Sequence, residues 1–165
     1  MKLRLMPPLL IIIFSIIIAF AANTILGNRI PLIGKWPSIS GSDSIIVPPS
    51  AEEGDPPFIS LDEAATKFQS KRIVFIDARE PEDYETGHIR GAVNLPYDYM
   101  EDYWDKVLKD VPLNKEIVVY CSGNECESSL FLGREMAYKG YKDVFIFYGG
   151  WREWVEAKLP VDRGK

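Results

Sequence analysis

The sequence predicts an α/β fold in which parallel strands alternate with helices, preceded by an N-terminal transmembrane helix. Three apolar runs of strand length, 72–79, 114–121 and 142–150, are separated by segments with helical patterns. Strands that alternate with helices in this way join into parallel βα units. The segment 1–27 adds an apolar run of helical length behind two basic residues. These observations divide the chain into a hydrophobic segment (1–27), a linker (28–57) and a globular domain (58–165).

The N-terminal segment has the features of a membrane anchor. Lys2 and Arg4 precede a stretch that carries no charge up to Asn28. A helix over 9–27 would span roughly 28 Å, close to the ~30 Å thickness of the bilayer hydrocarbon. Basic residues stay on the cytoplasmic side, so we expect a single-pass protein of the cytoplasmic membrane with a periplasmic domain. The alternative is a signal peptide that is cleaved near Ala21, which would release the domain.

The composition of the chain argues against nucleic acid as a partner. The formal net charge is −5, and no block of Lys or Arg interrupts the acidic domain. Binding to phosphate backbones needs a positive footprint that releases counterions. The linker 28–57 is rich in Pro, Gly and Ser and shows no sustained period, which is typical of a tether.

The elements of the domain follow from local signals. Ser60 and Glu63 form a capping box that begins the first helix. The run 72–79 is continuously apolar, as in a strand that is covered on both faces. The remaining predictions, in chain order, are a short helix between Pro81 and Gly87, an extended piece over 92–97, a helix over 97–110, a strand over 114–121, a helix that ends at Gly140, a strand over 142–150 and a helix over 151–160.

Both cysteines of the chain lie in one loop, in the stretch VVYCSGNECESS. In open parallel sheets, ligands bind where the carboxyl ends of strands enter loops, and Cys121 stands at such a place. A turn from a strand into a helix points backbone N–H groups inward, and these donors favour an anion together with the helix dipole. We therefore expect the thiol of Cys121 to become a thiolate. Gly123 is expected to take the positive φ that a tight loop needs.

Three interpretations of the cysteine pair differ in their chemistry. A closed zinc site needs about four ligands, and two Cys and one His are too few, so we predict no metal. A structural disulfide between Cys121 and Cys126 would close a very short loop and add little chain entropy. A reactive thiol is the interpretation that the position of the loop favours.

The segments FIDAREPEDYETGHIRGAVNLPY and IVVYCSGNECESSLFLGREMAYKGYKDVFIFYGGWREW, with the first helix, resemble a single-domain rhodanese, a sulfurtransferase. The resemblance covers about 58–162. It implies a central parallel sheet with helices on both faces, no cofactor, and an active cysteine at the mouth of a loop of backbone amides. Carried over to this chain, it predicts Cys121 as the sulfur carrier, in a loop that is completed by Ser122, Gly123, Asn124, Glu125 and Cys126.

The function implied by this resemblance is that of a membrane-anchored sulfurtransferase. The Cys121 thiolate would take sulfane sulfur from a small donor or a protein persulfide and pass it to a thiol or another thiophilic acceptor. Glu125 and Glu127 stand where members of the family that use thiosulfate carry basic residues, so we expect a persulfide donor, such as glutathione persulfide, rather than the thiosulfate dianion.

Two other functions remain open at this point. Cys121 and Cys126 could form a thiol–disulfide relay in which Cys126 acts as the resolving thiol, although Cys126 could equally be a small apolar residue that packs at the start of the helix. The domain could also be a non-catalytic, anchored module that docks a partner protein.

Three residues outside the loop are candidates for supporting roles. Asp77 and Arg79 follow the first strand, and we expect a buried ion pair that holds loop ends together, with a role at the mouth of the site as the alternative. His88 is the only histidine. A general base beside a cysteine would suit its chemistry, but its position in the turn TGHIRGA favours a structural role.

Overall fold

The computed structural model describes residues 6–25, 44–123 and 125–164, which belong to two separate compact units. The first unit contains helix α1 (Met6–Ile25), whose described side chains from Leu10 to Ile18 are exposed. The second unit contains all the other elements. Each unit is described here by itself.

Helix α1 lies where the sequence predicts a transmembrane helix. Among the described residues, no helix combines the length and the apolar character needed to cross a membrane. The predicted transmembrane helix is therefore not supported by the structure.

Within the described residues, six strands form two sheets. In chain order they are β1 (Val74–Asp77), β2 (His88–Ile89), β3 (Val93–Asn94), β4 (Glu116–Tyr120), β5 (Asp143–Phe147) and β6 (Val161–Asp162). The main sheet has the order β3-β1-β4-β5, and every pair in it is parallel. This confirms the α/β fold with a central parallel sheet. Asp77 pairs with Tyr120, which pairs with Phe147, so the carboxyl ends of these strands lie level at one edge.

Helices cover both faces of the main sheet. Their bounds are α2 (Leu61–Gln69), α3 (Pro81–Thr86), α4 (Met100–Leu108), α5 (Ser128–Tyr138) and α6 (Gly150–Glu156), with a 3₁₀ turn at Tyr97–Tyr99 before α4. On one face, Leu108 of α4 and Leu132 of α5 pack against Val119. On the other face, Ala64 of α2 and Trp154 of α6 pack in one apolar cluster with Val118. Alternate residues of β4 thus point to opposite layers, as the pleat of a strand requires.

The predicted ends of two helices are confirmed. The Ser60 hydroxyl accepts from the amide of Glu63 at 3.2 Å, and the Glu63 carboxylate accepts from the amide of Ser60 at 3.1 Å, which completes the capping box. Helix α5 ends before Gly140, whose φ of +98° is left-handed. A residue with a Cβ would be strained there, which is why glycine ends this helix.

The small second sheet was not predicted from the sequence. Strands β2 and β6 pair antiparallel, with His88 opposite Asp162 and Ile89 opposite Val161. Two residues per strand are too few for an alternating pattern to be read. The indole N–H of Trp154 donates to the carbonyl of Pro160 at 2.9 Å and so fixes the chain that returns to β2.

Part of the predicted linker contacts the domain. Within 44–57, Ile46 packs beside Leu130, and the Asp55 carboxylate accepts two hydrogen bonds from the guanidinium of Arg134, at 2.6 Å and 2.8 Å. The Arg134 guanidinium lowers the pKa of Asp55. Residues 44–57 therefore lie along α5, and the predicted domain boundary at 58 stays a prediction.

Candidate active site

The cysteine loop leaves β4 at the edge where the parallel strands end, and it leads into α5. The sulfur of Cys121 is fully buried. Its thiol donates to the backbone carbonyl of Cys126 at 2.9 Å and lies 3.4 Å from the hydroxyl oxygen of Ser129. Cys126 is partly exposed, and both cysteines are free thiols. The loop therefore presents one thiol toward solvent and keeps the other beneath it.

The start of α6 holds the loop in place. The amide of Trp151 donates to the carbonyl of Cys121 at 2.8 Å, and the amide of Arg152 donates to the carbonyl of Ser122 at 3.2 Å. The carbonyls of Cys121 and Ser122 therefore face α6. The first residues of the loop are thereby oriented by a neighbouring element rather than by the loop alone.

Two glycines allow this close approach. Gly123 has a φ of +96°, as predicted, and a Cβ on it would lie 2.2 Å from the carbonyl oxygen of Gly149. Gly150 has a φ of +60°, and a Cβ on it would lie 2.3 Å from the carbonyl oxygen of Cys121. Both positions combine a left-handed backbone with a contact that excludes any side chain. The Gly-Gly pair before Trp151 is thus part of the site.

The hydrogen bonds of the loop favour a thiolate at Cys126. The thiol of Cys121 is the first cause that lowers the pKa of Cys126, to about 5, and burial acts against it. The amides of Ser122 and Ser128 and the Ser128 hydroxyl also hydrogen-bond to the sulfur of Cys126 and lower its pKa. Donors that point at a sulfur stabilise its anionic form.

Burial opposes the thiolate that the sequence predicts at Cys121, and that thiolate stays a prediction. Burial raises the pKa of Cys121, and its hydrogen bond to Cys126 and the charge there raise it further. The Ser129 hydroxyl and the amide of Gly123 lower it, but they do not offset the burial. Donors of the loop therefore lower the pKa of both cysteines, and burial outweighs them at Cys121. The role of Cys121 as sulfur carrier stays a prediction of the resemblance.

The Asp77–Arg79 pair is buried at the end of β1. The guanidinium of Arg79 binds both carboxylate oxygens of Asp77, at 2.9 Å and 2.6 Å, and donates to the carbonyl of Gly87 at 2.7 Å. It also lies over the ring of Trp151, 4.9 Å from its centroid. These contacts tie the end of β1 to the turn before β2 and to α6, so the pair supports the loop through Trp151.

His88 has contacts of a structural kind. Its Nδ1 lies 2.9 Å from the carbonyl oxygen of Tyr84, and its ring stacks on that of Tyr84 with the centroids 3.8 Å apart. The residue is buried in β2. A general base for the cysteines would need a free nitrogen within reach of a sulfur, and these contacts point the imidazole toward α3 instead.

Comparison with known proteins finds similarity over the globular domain. A family model described as the rhodanese-like domain matches residues 60–157. The chain belongs to the rhodanese-like domain family. It is 31% identical over 106 residues to an HTH-type transcriptional regulator of Mycobacterium tuberculosis. The aligned region covers 64% of this chain and 45% of that protein.

A second relative is matched over nearly its whole length. This chain is 30% identical over 107 residues to the thiosulfate sulfurtransferase GlpE of Coxiella burnetii, over 65% of this chain and 94% of that protein. A solved thiosulfate sulfurtransferase of Pseudomonas aeruginosa superposes with a TM-score of 0.55 at 18% identity, over 67% of this chain and 21% of that one. At that identity the superposition shows the shared fold alone. The chain spans less than half the length of the transcriptional regulator.

The rhodanese-like domain has an electronegative rim at this site. Glu125 is exposed in the loop, and the carboxylate of Glu127 accepts from the hydroxyl of Ser50. Burial raises the pKa of Tyr148, at the end of β5, and the charge of Glu127 raises it further. The preference for a persulfide over the thiosulfate dianion stays a prediction.

Sequence reasoning missed Ser128, Ser129 and Tyr148 as residues of the site. It did predict the loop residues 121–126. Ser128 and Ser129 contact the two sulfurs, and the only sequence signal for them is their position directly after the loop. Asn124 lies outside the described residues. Within the described stretches, no three His, Cys, Asp or Glu side chains are grouped closely enough to hold a metal ion.

Proposed function

We propose that this protein is a sulfurtransferase that carries sulfane sulfur as a persulfide on its cysteine loop. The observation that carries the proposal is the pair of free thiols in one loop at the carboxyl edge of the parallel sheet, where Cys126 is partly exposed and neighbouring hydrogen-bond donors lower its pKa. A thiolate that is stabilised by fixed donors is a nucleophile at neutral pH. The thiosulfate sulfurtransferase of Coxiella burnetii, which is similar over nearly its whole length, supports the same chemistry.

The reaction has two displacement steps. A loop thiolate attacks the outer sulfur of a donor persulfide, the S–S bond of the donor breaks, and the donor leaves as a thiolate. The new persulfide on the protein then gives its outer sulfur to a thiophilic acceptor, and the loop thiolate is restored. The amides that stabilise the thiolate also stabilise the persulfide anion, so that no cofactor is required.

We propose a persulfide rather than thiosulfate as the donor. Glu125 and Glu127 flank the second cysteine, and their charges oppose a dianion more than a singly charged or protein-borne donor. Glutathione persulfide has the required sulfane sulfur. A small thiol or sulfite is a suitable acceptor class, since each attacks the outer sulfur of a persulfide.

We further propose that the domain works on the outer side of the cytoplasmic membrane. The support is in the sequence, where Lys2 and Arg4 precede an uncharged apolar stretch. The stretch would act as an anchor or as a signal that is cleaved near Ala21. Fractionation of expressing cells, with protease added to intact spheroplasts, tests this proposal. Digestion of the domain supports it, and full protection of the domain inside the spheroplasts refutes it.

The activity is tested by turnover with the purified full chain. Glutathione persulfide is the donor, sulfite the acceptor, and the thiosulfate formed is measured against the uncatalysed rate. We expect turnover by the wild type, none above background by the double variant Cys121→Ser/Cys126→Ser, and a lower kcat/KM when thiosulfate replaces the persulfide with cyanide as the acceptor. Equal rates for the wild type and the double variant refute the enzymatic function and favour the docking module.

A further inference from the structure

We infer that the hydroxyl of Tyr148 donates a hydrogen bond to the outer sulfur that the cysteine loop carries, and that it thereby favours the loaded loop over the empty one. This inference rests on the proposed persulfide chemistry and deepens it. It adds to the site a residue from the strand beside the loop, and it gives that residue a role in the uptake of sulfur.

The register of the parallel sheet places Tyr148 beside Cys121. At the ends of β4 and β5, Tyr120 pairs with Phe147. Cys121 and Tyr148 are the next residues along the two chains. Neighbouring strands lie about 4.8 Å apart, so the two residues leave the sheet side by side at its carboxyl edge.

Both side chains point to the face of the sheet that α5 covers. Alternate residues of a strand share a face, and the residues two positions before Cys121 and Tyr148 are partners in the sheet. The sulfur of Cys121 lies 3.4 Å from the hydroxyl oxygen of Ser129, at the start of α5, and Tyr148 packs in one apolar cluster with Leu130 of the same helix. Because a phenol is longer than a thiol, the hydroxyl of Tyr148 reaches farther from the sheet than the sulfur does.

The ring of Tyr148 is fixed by packing. It belongs to a cluster with Leu130 and Ile146, and the ring of Phe58 meets it edge-on, with the centroids 6.5 Å apart. Only 4% of the residue is exposed. A ring that is held on several sides gives its hydroxyl a defined position, as a preorganised donor requires.

The hydroxyl itself is available for a ligand. Among the described residues it makes no hydrogen bond, and no fully buried side-chain oxygen or nitrogen there lacks a partner. The exposed part of Tyr148 therefore includes its hydroxyl, which lies at the surface beside the loop. Burial raises the pKa of Tyr148, and the charge of Glu127 raises it further, so the phenol stays protonated and can donate.

This donor distinguishes the loaded loop from the empty one. In the empty site the thiol of Cys121 is directed at the carbonyl of Cys126, at 2.9 Å, and the phenol bonds neither sulfur. A persulfide adds one sulfur beyond Sγ, and this outer sulfur carries the negative charge when the persulfide ionises. A donor that binds the loaded form and not the empty form shifts the loading equilibrium by the whole strength of its hydrogen bond.

The loading step balances without a proton from Tyr148. The loop thiolate attacks the outer sulfur of glutathione persulfide, and a new S–S bond forms on the loop. The S–S bond of the donor breaks, and glutathione leaves as a thiolate with the electron pair. The proton on the transferred sulfur passes to solvent when the protein persulfide ionises. Tyr148 keeps its own proton and donates only a hydrogen bond to the transferred sulfur.

The test is the loading equilibrium of the reduced full chain, in anaerobic buffer with a fixed ratio of glutathione persulfide to glutathione. Intact mass gives the fraction of the chain that is about 32 Da heavier. Tyr148→Phe removes only the hydroxyl, so we expect an equilibrium constant for loading about tenfold below that of the wild type. The midpoint of unfolding in urea should not fall, because the lost hydroxyl has no partner among the described residues.

A second buried tyrosine provides a matched control. The hydroxyl of Tyr141 donates to the carbonyl of Val111 at 3.3 Å, and Tyr141→Phe removes the same atom at a position that the inference does not involve. Tyr141→Phe should load to the same extent as the wild type.

The outcomes separate this inference from the proposed function. A tenfold loss of loading that is confined to Tyr148→Phe supports the inference. A wild type and a Tyr148→Phe variant that load equally overturn the inference and leave the sulfurtransferase standing. Equal losses in Tyr148→Phe and Tyr141→Phe also overturn it, as does a loss in Tyr148→Phe that is matched by a fall in stability. A wild type that takes up no sulfur and shows no turnover overturns the proposed function, and the inference with it.

Discussion

Removing the hydrogen bond that the Cys121 thiol makes to Cys126 should raise the pKa of Cys126. The thiol of Cys121 is the foremost cause that lowers this pKa, and Cys121→Ala deletes it while the amides of Ser122 and Ser128 stay in place. Cys121→Ser is a matched control, because its hydroxyl can still donate from nearly the same position.

The size of the effect follows from the strength of such a bond. A hydrogen bond to a charged group contributes about 1.5–3 kcal/mol, and one pKa unit corresponds to about 1.36 kcal/mol. Cys126 is partly exposed, and solvent weakens the contact, so we expect the lower half of that range. Cys121→Ala should therefore raise the pKa of Cys126 by about 1–1.5 units, and Cys121→Ser should raise it by less than half of that.

The assay is the rate of alkylation of Cys126 as a function of pH, because only the thiolate reacts. In the wild type the rate should reach its plateau above about pH 6, since the pKa is lowered to about 5. The inflection should move upward in Cys121→Ala. The reasoning is refuted if Cys121→Ala and the wild type share one inflection, or if Cys121→Ser moves it as far as Cys121→Ala.

Three further predictions concern the frame of the site. Asp77→Asn leaves the buried guanidinium of Arg79 without its charge partner. It should lower the free energy of unfolding, measured in urea, by about 3–5 kcal/mol. A loss below about 1 kcal/mol contradicts a stabilising role of the buried ion pair. Gly150→Ala should displace the cysteine loop and abolish alkylation of the loop thiolate at about pH 6, since its Cβ would lie 2.3 Å from a loop carbonyl. The control Gly91→Ala has a similar positive φ with no atom within 4 Å and should only lower stability by about 1 kcal/mol. Arg134→Gln should destabilise the fold at neutral pH and less so in acid. Arg134 lowers the folded-state pKa of Asp55, so its stabilisation is full above the unfolded value of about 3.9 and is lost as pH falls through the folded pKa. A stability difference that is constant across this range refutes the role of the ion pair.

The core of the fold could be predicted because its signals are local. Apolar runs of strand length indicated β1, β4 and β5. The capping box at Ser60 indicated the start of α2, and Gly140 indicated the end of α5. The pairing of β2 with β6 could not be predicted, since it joins residues that are more than seventy positions apart with two residues on each side. The partner of Arg134 was hidden for the same reason, because Asp55 lies 79 positions earlier in the chain.

The position of the site could be predicted, but the roles of its two thiols could not. The spacing of Cys121 and Cys126 places both in a loop at the end of a parallel strand, and the structure confirms that location. Which sulfur becomes the anion depends on burial and on the direction in which each donor points. Sequence spacing carries neither quantity, and only the structure shows that Cys121 is buried while Cys126 is partly exposed.

The most direct test of the sulfur chemistry is the site-resolved mass of the native full chain after brief exposure to glutathione persulfide at about pH 6, where an ordinary thiol is protonated. We predict that the added sulfur, or a disulfide derived from it, is found on the cysteine loop within the first moments of the reaction. A chain in which both cysteines stay unmodified, while Cys126 still reacts with an alkylating reagent, would contradict the assignment of this loop as a sulfur carrier.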